Sequence, residues 1–284
     1  MVTPANAPAP PLLDAGLLAQ AAEFVRAHRP FSSRLALILG SGLGAFAEQL
    51  QSSQSISTAE IPGYQRATVT GHAGRWFFGT LAGKKILVIQ GRVHSYESHS
   101  AAKTGFMIHL LAELGIQRLL VTNAAIGLNQ HLTPGDLMLI DDHINMMFAN
   151  PLRGQHRKEW GKRWPDMYAP YDPALQKAAL QTAVQLGIPL RRGVLFATRG
   201  PSYETAAEIQ MAKHFGADAI TKATVPEVLV AISRSMHVLG LSCITSMATG
   251  VSTQKLEHHE AMEFAGRASS TFARLVVGTV KRMV

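Results

Sequence analysis

The sequence predicts an α/β protein built on a mostly parallel or mixed sheet. Three observations carry this. Short apolar runs recur along the 284 residues. Longer stretches of helical periodicity lie between several of them, and the first run ends in a glycine turn. Strands that alternate with helices bury their apolar faces by covering a sheet with helices.

Residues 1–11 are rich in proline and alanine and read as a loose tail. Over 12–28, Leu17, Leu18, Ala21, Phe24 and Val25 recur at helical spacing. The run at 35–39, Leu-Ala-Leu-Ile-Leu, reads as a buried strand that enters a glycine turn. Further strands are predicted at 86–89, 119–122, 137–140, 194–197 and 238–245, with a hairpin through 81–84. Helices are predicted at 101–114, 173–186, 204–215, 225–236 and 258–282. With 47% hydrophobic and 16% charged residues, residues 12–284 form one domain with a large core. Repeats and linkers are absent from the pattern.

Composition narrows the function classes. The 27 Lys and Arg against 19 Asp and Glu give a net charge of +8, spread without a long basic run. A generally basic surface or an anionic small substrate accounts for this more simply than nucleic acid does. The apolar runs are too short to span a membrane, and the N-terminus lacks a secretory pattern. The single cysteine, Cys243, sits in an apolar run and reads as a small core residue. The expected setting is cytoplasmic.

Parallel sheets bind ligands beyond the carboxyl ends of their strands, and five such segments carry chemistry. The Gly-Ser-Gly-Leu-Gly turn at 40–44 can aim backbone N–H groups and the Ser41 hydroxyl at an anion. A tight turn is an equal alternative. Gly71, His72, Ala73 and Gly74 precede the hairpin. Arg92, His94 and Tyr96 alternate after a strand, so an extended backbone puts guanidinium, imidazole and phenol on one side. The Thr-Asn-Ala-Ala-Ile-Gly segment at 122–127 has small residues where a ligand can approach the backbone. At 199–205, Glu204 opens a helix beside Tyr203. A carboxylate near a stacking ring suits a base edge, although this segment alone also fits a carboxylate answering the helix dipole.

These segments, with 129–154 and the Thr-Val-Pro-Glu-Val motif at 224–228, follow one another in an order and spacing that resembles the trimeric purine nucleoside phosphorylases, from about residue 34 to 265. The resemblance implies a single domain with a central mixed, partly barrel-like sheet flanked by helices, the phosphorylase/hydrolase-like fold. It implies reversible phosphorolysis of nucleosides by a pentosyltransferase. Ser41, His72, Arg92, His94, Ala124 and Ala223 would hold phosphate, the co-substrate. Tyr96, Lys222 and His258 would face the ribose, His259 being an alternative to His258. Ala125, Ile126, Tyr203, Glu204 and Ser246 would face the base. His94, Glu204 and Ser246 would be catalytic. Trp160 would enter a neighbouring subunit of a homotrimer. Members of the family use no metal and no organic cofactor.

The chain departs from the family pattern at one place. Ile126 stands where the family has glycine, and Thr221, Lys222 and Ala223 replace a Gly-Met-Ser run. Ser246 replaces an asparagine. These read as a rewritten base pocket, natural or engineered. Lys222 is expected to favour a base with extra carbonyls or an anionic leaving group. A relative acting on methylthioadenosine-like nucleosides and a non-catalytic nucleoside or phosphate binder are the alternatives.

Overall fold

In a computed structural model the protein is described over residues 14–69, 73–97, 101–154, 156–251 and 258–283, with the backbone alone for 101, 102, 258–265 and 267. The tail expected at 1–11 lies outside these residues. Helix α1 (Ala15–His28) is capped by Asp14, which accepts from Gly16 N at 2.8 Å. Strand β1 (Leu35–Leu39) follows, then β2 (Gln51–Ser57) and the hairpin of β3 (Arg75–Leu81) with β4 (Lys84–Gln90). Next come α2 (Ala101–Glu113), β5 (Arg118–Gly127), β6 (Leu137–Asn145), α3 (Pro173–Leu186) and β7 (Leu190–Ala197). The chain ends with α4 (Ala206–His214), β8 (Ala219–Thr221), α5 (Val225–Ser233), β9 (His237–Met247) and α6 (His258–Arg282).

The nine strands lie in the order β2-β3-β4-β1-β5-β8-β7-β6-β9, and β5 also pairs with β9. That extra pairing closes β5, β8, β7, β6 and β9 into a small barrel, from which the other four strands extend as an open sheet. Strand β5 makes the junction. Its first half pairs with β1 through Arg118–Val121, and its last residues, Ile126 and Gly127, pair with β8. The end of β1 and the end of β8 therefore diverge along one edge of β5, which opens a crevice at the carboxyl ends of the parallel strands.

Period two is visible in the core. Ala36 and Ile38 face a cluster with α1, α2 and α5, while Leu35, Leu37 and Leu39 face one with α3 and α6. Cys243 belongs to the second cluster; it is 1% exposed, and burial pushes its thiol up to about 12. Two strands escape the sequence pattern. Strand β2 reads Gln-Ser-Ser-Gln-Ser-Ile-Ser because it is an edge strand, and β8 has three residues. One expectation is corrected. Glu204 does not open α4, because Thr205 is the cap and Glu208 completes a reciprocal capping box, leaving Glu204 before the helix. Among the described residues no helix is long and apolar enough to cross a membrane.

Candidate active site

The crevice is a cleft of about 710 Å³, counting its open mouth. Its walls bring together Ser41, Arg92, His94, Tyr96, Ala124, Ala125, Ile126, Tyr203, Lys222, Ala223 and Ser246, all expected from the sequence. Glu204 stands behind Lys222 and Tyr203 rather than on the wall. His72 lies outside the described residues. His258 begins α6, and its side chain is likewise outside them.

At one end the backbone is pinned for close approach. Thr122 Oγ1 donates to Ile38 O at 2.8 Å and accepts from Gly40 N at 2.9 Å, so the exit of β1 is held against β5. A Cβ at Gly40 would come within 2.7 Å of Asn123 Cα, so this crossing needs glycine. Arg92 crosses the floor, 2% exposed. Its guanidinium donates to the Thr122 carbonyl, to Glu227 Oε1 at 3.1 Å and to Thr224 Oγ1 at 3.3 Å. Thr224 also accepts from Asn123 Nδ2 at 2.9 Å. Its φ of +75° forms a γ-turn closed by Val225 N to Ala223 O at 2.9 Å. Two side chains from other elements thus hold a strained residue at the entry to α5.

His94 and Tyr96 do not alternate along a strand. The chain turns at 95–97, and their rings stack with centroids 4.8 Å apart. Glu97 orients them. It accepts from His94 N at 2.7 Å, lies 3.2 Å from His94 Nδ1, and also accepts from Thr68 N. Burial raises its carboxyl, but these hydrogen bonds outweigh burial and hold it at about 2. Burial, and then the Glu97 charge, push the Tyr96 phenol up to about 12, so it stays a donor at neutral pH.

The Glu97 shift predicts a pH dependence. A carboxyl held below its ordinary value of about 4.3 contributes stability above that value and loses it as pH falls towards the folded value. Glu97→Gln is expected to lose about 1–2 kcal/mol at pH 7. Its deficit against the parent protein should shrink between about pH 5 and pH 2. Urea unfolding at several pH values measures this, and a deficit independent of pH rejects it.

At the other end Lys222 Nζ lies 3.0 and 3.3 Å from the two oxygens of Glu204, and Thr198 Oγ1 donates to Glu204 Oε1 at 2.7 Å. The ammonium also stands 5.0 Å from the Tyr203 ring centroid. Burial, then the Glu204 charge, raise the Tyr203 phenol. Lys222, expected at the ribose, is thus bound to the carboxylate expected at the base. Ile126 is 8% exposed and packs with Phe196, Ile209 and Ile220.

Trp160, expected to enter a neighbouring subunit, is largely covered within its own chain. Its ring is 8% exposed in its own chain, 5.9 Å from the His109 ring. Lys162 N donates to Ser233 O at 2.8 Å, which ties the following backbone to α5 and folds the indole inward. Trp164 and Tyr168, 85% and 94% exposed, are the outward aromatics of this segment. Sequence reasoning did not assign roles to Glu97, Asn123, Thr198, Thr224 and Glu227. Their neighbours in the chain give no sign of which partners the fold brings to them. Among the described residues no cluster of His, Cys, Asp and Glu is placed to hold a metal ion.

Comparison with known proteins shows the family and the fold. Residues 34–281 match the model of the phosphorylase superfamily. Purine nucleoside phosphorylase 1 of Geobacillus stearothermophilus is 44% identical over 264 residues, 93% of this chain and 96% of that protein. A Schistosoma purine nucleoside phosphorylase in complex with hypoxanthine superposes with a TM-score of 0.91 at 29% identity, covering 97% of this chain and all (100%) of the other. Isoform 2 from Schistosoma mansoni, in complex with cytosine and ribose-1-phosphate, gives 0.90 at 30% identity over 97% and 99%. A match of this extent to both sequence and fold, around a cleft that gathers eleven of the expected site residues, places the chain in the phosphorylase superfamily, among its low-molecular-mass purine nucleoside phosphorylases.

Proposed function

We propose that the chain catalyses reversible phosphorolysis of a ribo- or deoxyribonucleoside, giving the free base and the pentose 1-phosphate. One observation carries the reading: an anion cradle, a sugar-directed phenol and a base platform line a single cleft at the strand ends. Inorganic phosphate is the co-substrate, held by Arg92, His94, Ser41 and the backbone around Ala124. Tyr96 faces the ribose, and Tyr203 with Lys222 and Glu204 forms the base end. Asn123 Oδ1, buried without a hydrogen-bond partner among the described residues, is an acceptor left for a ligand hydroxyl.

The chemistry follows from that placement. A phosphate oxygen forms a bond to C1′ as the C1′–N bond breaks, and the electron pair leaves with the base, which then takes up a proton. Positive charge grows on the sugar and negative charge on the base. The phosphate anion answers the first, and donors at the base end, Lys222 and Ser246, answer the second. Holding both reactants in one cleft removes the entropy of their encounter. The assembly proposed is a homotrimer, supported by the resemblance and by the exposed Phe148, Trp164 and Tyr168. The compartment proposed is the cytoplasm.

The test is release of base from inosine, guanosine, adenosine, xanthosine and uridine, with and without phosphate. Equimolar base and pentose 1-phosphate, formed only with phosphate present, is the expected result. Phosphate binding without release from any nucleoside rejects the reading.

A further inference from the structure

The base end of the cleft holds an ion pair inside one chain. Lys222 Nζ engages both oxygens of Glu204, and the two side chains are only 14% and 7% exposed. Thr198 Oγ1 takes a further lone pair of Oε1. Tyr203 lies beside the ammonium, and both Tyr203 and Lys222 face the cleft while Glu204 stands behind them.

The valences of these groups decide what they can still offer. A carboxylate with no such partner presents two acceptors side by side, which match a base edge with two adjacent donors. A ring N–H next to an exocyclic amino group, as in guanine, is that edge. Here an ammonium, which has three hydrogens and no acceptor, engages both oxygens. The pair therefore turns a donor, the Lys222 ammonium, towards the cleft, with Glu204 behind it. An amino group on the base meets the ammonium as donor against donor, leaving a partly buried cation badly paired. A carbonyl at the same position accepts from Lys222, whose charge Glu204 balances from behind. The ammonium then also lies next to an oxygen onto which the leaving base spreads its negative charge.

We propose that Lys222 is a specificity-determining residue that selects nucleosides whose base carries a carbonyl where guanine carries its 2-amino group, the 2,6-dioxopurines. This rests on the phosphorylase reading given above. Xanthosine and guanosine differ at that position and in the state of the adjacent N3, so the change of their ratio in Lys222→Met, which leaves the substrates untouched, isolates the effect of the ammonium.

The experiment has a kinetic and a binding arm. The kinetic arm compares kcat/KM for xanthosine and guanosine in the parent protein, Lys222→Met and Lys222→Gln. The parent is expected to prefer xanthosine by roughly tenfold or more, the scale of one charge-assisted hydrogen bond gained against one donor left unpaired. Lys222→Met should reverse the order, and Lys222→Gln, a neutral donor, should fall between. The binding arm titrates free xanthine and guanine into the parent protein with phosphate present, and xanthine should bind more tightly. Preference for guanosine in the parent, or a ratio unchanged by Lys222→Met, overturns the proposal. If no nucleoside is cleaved, the phosphorylase reading fails by itself and the binding ratio still decides the role of Lys222. Guanine binding as tightly as xanthine then overturns it. If either variant fails to fold, the parent's ratios in both arms decide.

Discussion

Arg92→Met is expected to destabilise the protein by about 3–5 kcal/mol and to abolish measurable phosphate affinity. Arg92 and Glu227 form an ion pair at 3.1 Å with side chains only 2% and 6% exposed. Removing the guanidinium leaves a carboxylate buried without its counter-charge, and the Thr122 carbonyl and Thr224 Oγ1 lose a donor. Breaking one side of a buried pair costs far more than the pair itself is worth. The double variant Arg92→Met with Glu227→Leu removes both charges and should recover much of the loss, while phosphate affinity stays absent. Urea unfolding and phosphate titration separate the two effects. A single variant within about 1 kcal/mol of the parent, or a double variant no more stable than the single, rejects this account.

Gly161→Ala is expected to cost about 2–4 kcal/mol, the sum of a left-handed backbone and an overpacked contact. Gly161 has φ of +97°, and a Cβ there would lie 2.1 Å from the Ser233 carbonyl oxygen and 2.7 Å from its carbon. The obstacle is backbone at the end of α5, which is itself held by Ser233 Oγ donating to Lys162 O at 2.8 Å. Neither side can give way without releasing the segment that buries Trp160. Gly187→Ala is the control. That glycine caps α3 at φ of +62°, and a Cβ there meets nothing within 4 Å, so only the backbone cost of about 1–2 kcal/mol applies. Thermal unfolding of the two variants gives the contact term by difference. Limited proteolysis after Lys158 or Arg163 should speed up only in Gly161→Ala, and equal losses in both variants reject the contact explanation.

Local signals account for what the sequence made legible. The Leu-Ala-Leu-Ile-Leu run of β1 is buried on both faces and so reads as strand with no tertiary knowledge. Helix α3 is bracketed by Asp172 with Pro173 at its start and Gly187 at its end, and its bounds are those the pattern predicts. Strand β2 carries no such signal, because polar residues on an edge strand owe their conformation to β3. The start of α4 was within reach, since a threonine three residues before a glutamate places the cap at Thr205.

The cleft divides in the same way. Small residues and glycines after strands disclosed its wall, because close approach of a ligand is a backbone requirement. Pairings across the fold were hidden. Arg92 meets Glu227 at a separation of 135 residues, and Lys222, just after β8, meets Glu204, just before α4, at a separation of 18. Neither pair lies within one helix or strand, so no local period links its members. Glu227, in the first turn of a helix, reads as a dipole partner until its burial is seen.

The placement of Cys243 has a practical outcome for anyone studying this cleft. The one thiol of the chain is sealed in the core and held in its protonated, unreactive form at neutral pH. Alkylating reagents and mild oxidants should pass it by, so enzyme handled in air needs no reductant to stay uniform. A cysteine introduced at an exposed position such as Val184 would then be the sole reactive thiol available to a maleimide. A fluorophore or spin label can be attached there directly, with no need to delete the native cysteine first.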